Sequence, residues 1–150
     1  MTVTPPDPDY RTRCRDSFAR QTVMSTIGAT LTHLEPGASK IEMPFSAAFT
    51  QQHGFLHAGT IATALDSACG YAALTVMEAD AAILTIEFKV NLLSPGKGER
   101  FIFRGKVVKP GRTILIADGQ AFAISNGAEK LIATMTATMM SIRDRPDLKG

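Results

Sequence analysis

The chain has no tryptophan and only two cysteines, Cys14 and Cys69, far apart in sequence. Two isolated thiols make neither a disulfide framework nor a zinc ribbon, and a reduced cytosolic setting is the default. No run of about 18 consecutive apolar residues occurs, so no segment is expected to span a bilayer. The first residues, Met-Thr-Val-Thr-Pro-Pro-Asp-Pro-Asp, lack the basic and apolar regions of a signal peptide, which points to a cytoplasmic protein. An excess of one charge is also missing. Lys and Arg total 16 against 14 Asp and Glu, a formal net charge of +2, which argues against a whole-protein nucleic-acid binder. There is no G-x-S-x-G elbow and no P-loop, and Gly96-Lys97-Gly98 reads as a turn.

What is present suffices for one domain: 150 residues, 45% apolar and 20% charged, enough to bury a core. Residues 1–8, with prolines at 5, 6 and 8, read as a flexible lead-in, residues 9–142 as a single domain, and 143–150 as a charged, frayed tail. Tyr10, Cys14 and Phe18 recur at helical spacing, predicting an amphipathic helix from Asp9 to about Met24. A hairpin follows, with strands over 27–35 and 39–45 about the turn Pro36-Gly37. Residues 46–57 hold no Lys, Arg, Asp or Glu and read as a loop. Residues 59–77 form the one long helix, rich in alanine and leucine, with Thr60 near its start. From Leu84 the pattern alternates. Leu84, Ile86, Phe88, Val90 and Leu92 lie opposite Thr85, Glu87, Lys89 and Asn91, and three further strands follow through turns at 94–98, 110–111 and 125–127. Such strands are antiparallel. One buried helix on one antiparallel sheet is an α+β layer architecture, and pairing two sheets in a dimer would cover the open edge.

Asp66 is the only charged residue of the long helix before Glu78. A lone Asp in a helix is usually solvated, but Ala64, Leu65, Ala68 and Gly70 around it argue against an exposed face. A carboxylate in an apolar helix can act as a general base on water or as a nucleophile. The helix start presents free N–H groups and a positive dipole end, so Ala58 and Gly59 are placed to hold an oxyanion. Gln51 can orient a water from the loop. His57 reads equally as a site residue or a local hydrogen-bonding group. His53 and His57 lack a clear third ligand, so no metal site is expected. His33 and Cys69 read as structural. Between Glu87 and Arg112 seven bases stand against two acids, either ordinary solvated strand faces or a rim for a phosphorylated ligand.

The segment Leu56-His57-Ala58-Gly59-Thr60 with Asp66, the strand Thr85-Ile86-Glu87-Phe88, the turn Leu93-Ser94-Pro95 and Lys109-Pro110-Gly111-Arg112 resemble the hotdog-fold acyl-CoA thioesterases of the phenylacetic-acid-degradation (PaaI-like) branch, over about residues 45–142. The resemblance implies a hotdog fold, an antiparallel sheet wrapped around one central helix, in a homodimer or a dimer-of-dimers tetramer. It implies Asp66 as the catalytic carboxylate, the Ala58 N–H on the thioester oxygen, His57 shaping the loop, Gln51 positioning water, and Thr85 near the acid, reaching across a dimer. Lys109, Gly111 and Arg112 would meet coenzyme A phosphates. Phe49, Phe55, Leu56 and Tyr71 are candidates for the acyl pocket or for core packing. No cofactor and no metal is implied. Three departures stand out. Ala58 replaces the family's first glycine, Gln51 stands where Asn is common, and Thr85 where some relatives have Ser. The expected reaction is hydrolysis of an acyl-CoA to free acid and coenzyme A. The rival readings are a hotdog hydratase or dehydratase and a non-catalytic acyl-CoA binding protein on the same fold.

Overall fold

The structure is a computed structural model, and it describes residues 3–150. Two helices, α1 (Tyr10–Arg20) and α2 (Thr22–Thr26), precede the hairpin β1 (Thr30–Glu35) and β2 (Ala38–Pro44). A 3₁₀ turn at Ala47–Phe49 leads to the long helix α3 (Ala58–Leu74), followed by β3 (Ala82–Leu92), β4 (Arg100–Lys109), β5 (Ile114–Ser125) and β6 (Ala128–Ile142). The helix expected from Asp9 to Met24 breaks at Gln21, whose extended backbone ends α1 and starts α2.

The six strands form one antiparallel sheet in the order β1-β2-β4-β5-β6-β3. Here the sequence expectation needs a correction. Residues 94–98 are not a hairpin turn, because β3 pairs with β6 at the far edge and not with β4. The segment 93–99 crosses the end of the sheet, held by Leu93 and Ser94 N–H groups on the Ile132 carbonyl and by Glu99 N–H on Ile124. Seven extended residues reach about 23 Å. The three strand spacings to be crossed amount to about 14 Å.

The sheet curls around α3, which touches all six strands. The closest approach has a chemical cause. Ser39, Gly105, Gly119 and Met135 form one row across β2, β4, β5 and β6. A Cβ on Gly105 would collide with the Ala68 carbonyl, and one on Gly119 would lie 3.0 Å from Cys69 Sγ. Ser39 Oγ donates to that same Ala68 carbonyl at 2.7 Å. The small row lets the apolar helix bury Ile61, Leu65, Ala68, Cys69 and Leu74, and full burial of each large aliphatic contributes about 1.5–3 kcal/mol. Gly70 is different. A Cβ there meets nothing within 4 Å, although glycine inside a helix costs about 0.5–1 kcal/mol relative to alanine.

Asp7, in the N-terminal segment, and the C-terminal Gly150 are both held. In the lead-in, expected to be free, Asp7 is buried and its Oδ2 lies 3.0 Å from Arg13 Nε. Arg13 also donates to the carbonyls of Leu74 (3.0 Å) and Met77 (2.9 Å) and to that of Glu78, so it closes the C-terminal end of α3. In the tail, expected to fray, the Gly150 carbonyl accepts from Arg20 at 2.8 Å. Cys14 and Cys69 are both free and buried, and burial pushes their thiols up to about 11 and about 12.

Candidate active site

α3 starts at Ala58 with His57 as its N-cap, and Thr60, expected near the helix start, is its third residue. The imidazole Nδ1 accepts the Gly59 N–H at 2.8 Å, which leaves the ring proton on Nε2. Thr60 and Ile61 N–H groups go to the His57 carbonyl at 2.9 and 3.1 Å. Among the described residues, the Ala58 N–H is therefore the one donor of the first turn without a partner. Gly59 shares the position but not the availability, since its N–H is engaged by His57. Gln51 turns its Oε1 inward to the N–H groups of His53 and Phe55, stapling its own loop, and its amide nitrogen is what remains to face a water. A cavity of about 350 Å³ lies here between Gln51, Phe55, Leu56, Ala58, Leu93 and Pro95. Leu56 is also buried in the core, where its N–H holds the Gly96 carbonyl at 2.9 Å.

Two turns further along α3 lies the half-buried Asp66, the candidate catalytic carboxylate. Thr85 Oγ1 donates to Asp66 Oδ1 at 2.7 Å within the same chain, so reaching Asp66 requires no second subunit for Thr85. A β-bulge between Thr85 and Glu87 makes this possible. Strict alternation would put Thr85 and Phe88 on opposite faces. The bulge instead pairs Thr85 with Met139 and Phe88 with Ala137, both on the helix side. Burial pushes the Asp66 carboxyl above the usual carboxylate range, and the Thr85 hydrogen bond partly offsets this by favouring the charged form. A second cavity, of about 340 Å³, opens beside Asp66 between Gly70 and Tyr71 on the helix and Ile83 and Leu84 on β3. Tyr71 is fixed there by Ser17 Oγ at 3.3 Å and by the edge of Phe18, with ring centroids 5.4 Å apart. A further hollow, of about 630 Å³, lies on the opposite sheet face beside Lys40, Arg104 and Asp118. Asp118 is exposed there and bonded to Thr136, so that hollow offers no activated group.

Ala58 and Asp66 are eight residues apart on one straight helix, about 12 Å along its axis. That is too far for one carbonyl group to meet both. Of the seven bases in the rim, Arg100 pairs with Glu42 and Arg104 with Glu129, while Lys109 and Arg112 are exposed. Ile114, Met140 and Leu84 form one row of the sheet, so the tip carrying Lys109, Gly111 and Arg112 lies at the Thr85 end, two strands from β3. Phe49 packs against the core.

A family model of the thioesterase superfamily matches residues 53–129, the stretch that contains both halves of this geometry. The chain belongs to that superfamily. A Saccharolobus solfataricus protein assigned as an esterase is 36% identical over 109 residues, 68% of this chain and 77% of that one. The medium/long-chain acyl-CoA thioesterase YigI of Escherichia coli is 32% identical over 98 residues, 57% of this chain and 61% of its own. A crystal structure of a thioesterase family protein from Silicibacter pomeroyi superposes with a TM-score of 0.88 at 58% identity, covering 89% of this chain and 98% of that one. The Escherichia coli PaaI protein shares the fold, with a TM-score of 0.80 at 16% identity over 89% of this chain and 94% of that one. The protein is thus a hotdog-fold thioester hydrolase. No helix of the thioesterase, among the described residues, is long and apolar enough to cross a membrane.

Proposed function

We propose that the thioesterase hydrolyses an acyl-CoA to the free acid and coenzyme A in a site shared between two copies of the chain. The carrying observation is the separation of about 12 Å along α3: a half-buried carboxylate with a hydroxyl partner, and one free helix-terminal N–H, about eight residues apart. A second copy, related by a two-fold axis perpendicular to β3 at its free edge, would bring its Ala58 N–H to the first copy's Asp66 and take the same in return. The edge strand supports this. Leu84, Ile86 and Phe88 are 52%, 54% and 45% exposed on a strand with one side unpaired, a surface that proteins normally cover.

Asp66 removes a proton from water, or attacks the carbonyl carbon itself. The Ala58 N–H of the other copy, at the positive end of α3, holds the oxygen as it gains charge. On the base route the tetrahedral intermediate collapses with C–S cleavage, and the thiolate of coenzyme A takes up the proton held by Asp66. On the nucleophile route C–S cleavage leaves an Asp66–acyl anhydride, and a water then hydrolyses it, releasing the free acid, restoring the carboxylate and supplying the thiolate's proton. His57 fixes the loop through its cap, and Gln51 offers its amide nitrogen to the water. Lys109 and Arg112, beside Gly111, are exposed at this end of the sheet, where they can meet the phosphates of coenzyme A.

The test is complementation. Asp66→Asn is expected to lower turnover by about 10²-fold or more. Ala58→Pro removes one N–H at a position where helices accept proline, and it is expected to cost about 10²–10³-fold. Mixing and re-pairing the two inactive chains should restore up to about a quarter of wild-type thiol release, because random pairing makes half the dimers mixed, each with one complete site. Recovery absent despite proven mixed dimers would overturn the shared site. Full activity in either single variant would overturn that residue's role.

A further inference from the structure

The cavity beside Asp66 has two features that thioester hydrolysis alone does not explain. The first is Gly70, one turn past Asp66 on α3. Its backbone is helical, its missing Cβ would touch nothing within 4 Å, and alanine would make a better helix. Gly105 and Gly119 are required by close packing, and Gly70 is not. What its absent side chain supplies is room inside the cavity. The second feature is Gln21, at the break between α1 and α2, whose side chain lines the same cavity. Its backbone N–H and carbonyl are both used, by Phe18 and Met24. Its Oε1 accepts from the buried Ser67 Oγ at 3.0 Å. Among the described residues its amide nitrogen has no partner, so two N–H donors are left at the wall of a cavity whose other polar groups, the Ser67 and Thr85 hydroxyls and Asp66, are hydrogen-bonded, and whose remaining lining is Gly70, Tyr71, Ile83 and Leu84. Among the described residues, Asp66 is the only charged group lining the space.

We propose that Gly70 and Gln21 are specificity-determining residues: the acyl group lies across Gly70, and the Gln21 amide selects acyl groups bearing an uncharged oxygen acceptor, a hydroxyl or keto group, over plain hydrocarbon ones. This rests on the reading that the thioester is placed at Asp66. The physical reason is the asymmetry of hydrogen bonding once the acyl group has displaced water from the pocket. A plain chain leaves the Gln21 donors unpaired on binding, whereas an oxygenated chain satisfies them. A second carboxylate on the acyl group would be repelled by Asp66 with no cation to compensate.

The experiment uses the full chain with matched alkanoyl-CoAs and their hydroxy or keto derivatives, the oxygen stepped along the chain, and thioether analogues that bind but cannot be hydrolysed. Wild-type kcat/KM and thioether affinity should favour one oxygen position by about 10-fold, a single hydrogen bond's worth. Gln21→Leu should erase that ratio. Gly70→Ala should raise Tm by about 2–4 °C while lowering the ratio of long-chain to acetyl-CoA turnover about 10-fold. No oxygen preference in the wild type, or one unchanged in Gln21→Leu, overturns the proposal. So does Gly70→Ala slowing all chain lengths alike with a change in oligomeric state, which would make Gly70 a contact between copies. If no acyl-CoA releases thiol but the thioethers still bind with a Gln21-dependent preference, the acyl-CoA hydrolysis reading fails and this subsite stands. Thioethers bound without preference sink the subsite whatever the turnover.

Discussion

Two regions of this sheet present apolar surface under opposite conditions. Under α3, the row Ser39–Gly105–Gly119 is closed: backbone approaches side chain until no Cβ fits, and the one polar group, Ser39 Oγ, is satisfied by the Ala68 carbonyl. At the β3 edge the apolar side chains are large, yet Leu84, Ile86 and Phe88 stay about half exposed, and one side of the strand is unpaired. The first region is complete within one chain. The second lies next to the catalytic candidate Asp66, and it acquires a cover only when something else arrives. Stability and activity are therefore expected to respond to different residues, although the two regions share one helix.

The largest separation should come from Ile86→Lys combined with Phe88→Lys. Two charges on the edge are expected to give a folded single chain by sedimentation, with Tm changed little and thiol release lost by about 10³-fold or more, because both halves of each site are parted. A dimer that persists with full activity would erase the distinction. Gly105→Ala tests the other region. Its Cβ has nowhere to go, so a loss of about 1–3 kcal/mol in a urea titration is expected, with kcat per folded molecule kept. The smallest effect is assigned to Thr85→Val. Removing the hydroxyl takes away the one interaction that favours the Asp66 carboxylate, so the carboxyl rises further. The active form is the ionised one and exists above the Asp66 pKa. The acid limb of the kcat/KM profile should therefore move to higher pH, with a few-fold loss below neutrality and little above it. The stability sign is the reverse. The raised carboxyl contributes stability at pH below its unfolded value, and this is lost as pH rises through the folded one, so Asp66→Asn is expected to raise Tm slightly at neutral pH.

The layer architecture was legible in the sequence because each element carries a strong local signal: the alanine-rich helix around Asp66, the alternating strands, the Pro-Gly and Asn-Gly turns. Asp66 stood out for a physical reason as well, since a carboxylate set among Ala64, Leu65 and Ala68 bears a desolvation cost that packing alone does not offset. Non-local choices were not legible. Residues 93–99 look like any turn, and only the pairing of β3 with β6 shows that they cross the sheet. The bulge at Ile86 leaves no mark on the alternation, so Thr85 read as opposite Phe88 when both face the helix. Histidine is not a residue one expects at an N-cap, which hid the role of His57 and the engagement of Gly59. For Gln21 the sequence holds no sign: the helical pattern runs on to Met24, and the end of α1 at Arg20 that sets Gln21 on the wall of the cavity beside Asp66 is a structural finding.

The Arg13 clip bears on how the molecule breathes. One guanidinium joins Asp7, near the chain's start, to the carbonyl of Leu74 at the end of α3 and that of Met77 just past it, more than sixty residues later. Opening of the N-terminal helices and fraying of the α3 C-terminus are thereby one event, and amide protons of both should exchange with the solvent at a common rate. The floor of the cavity beside Asp66 belongs to that same cooperative unit.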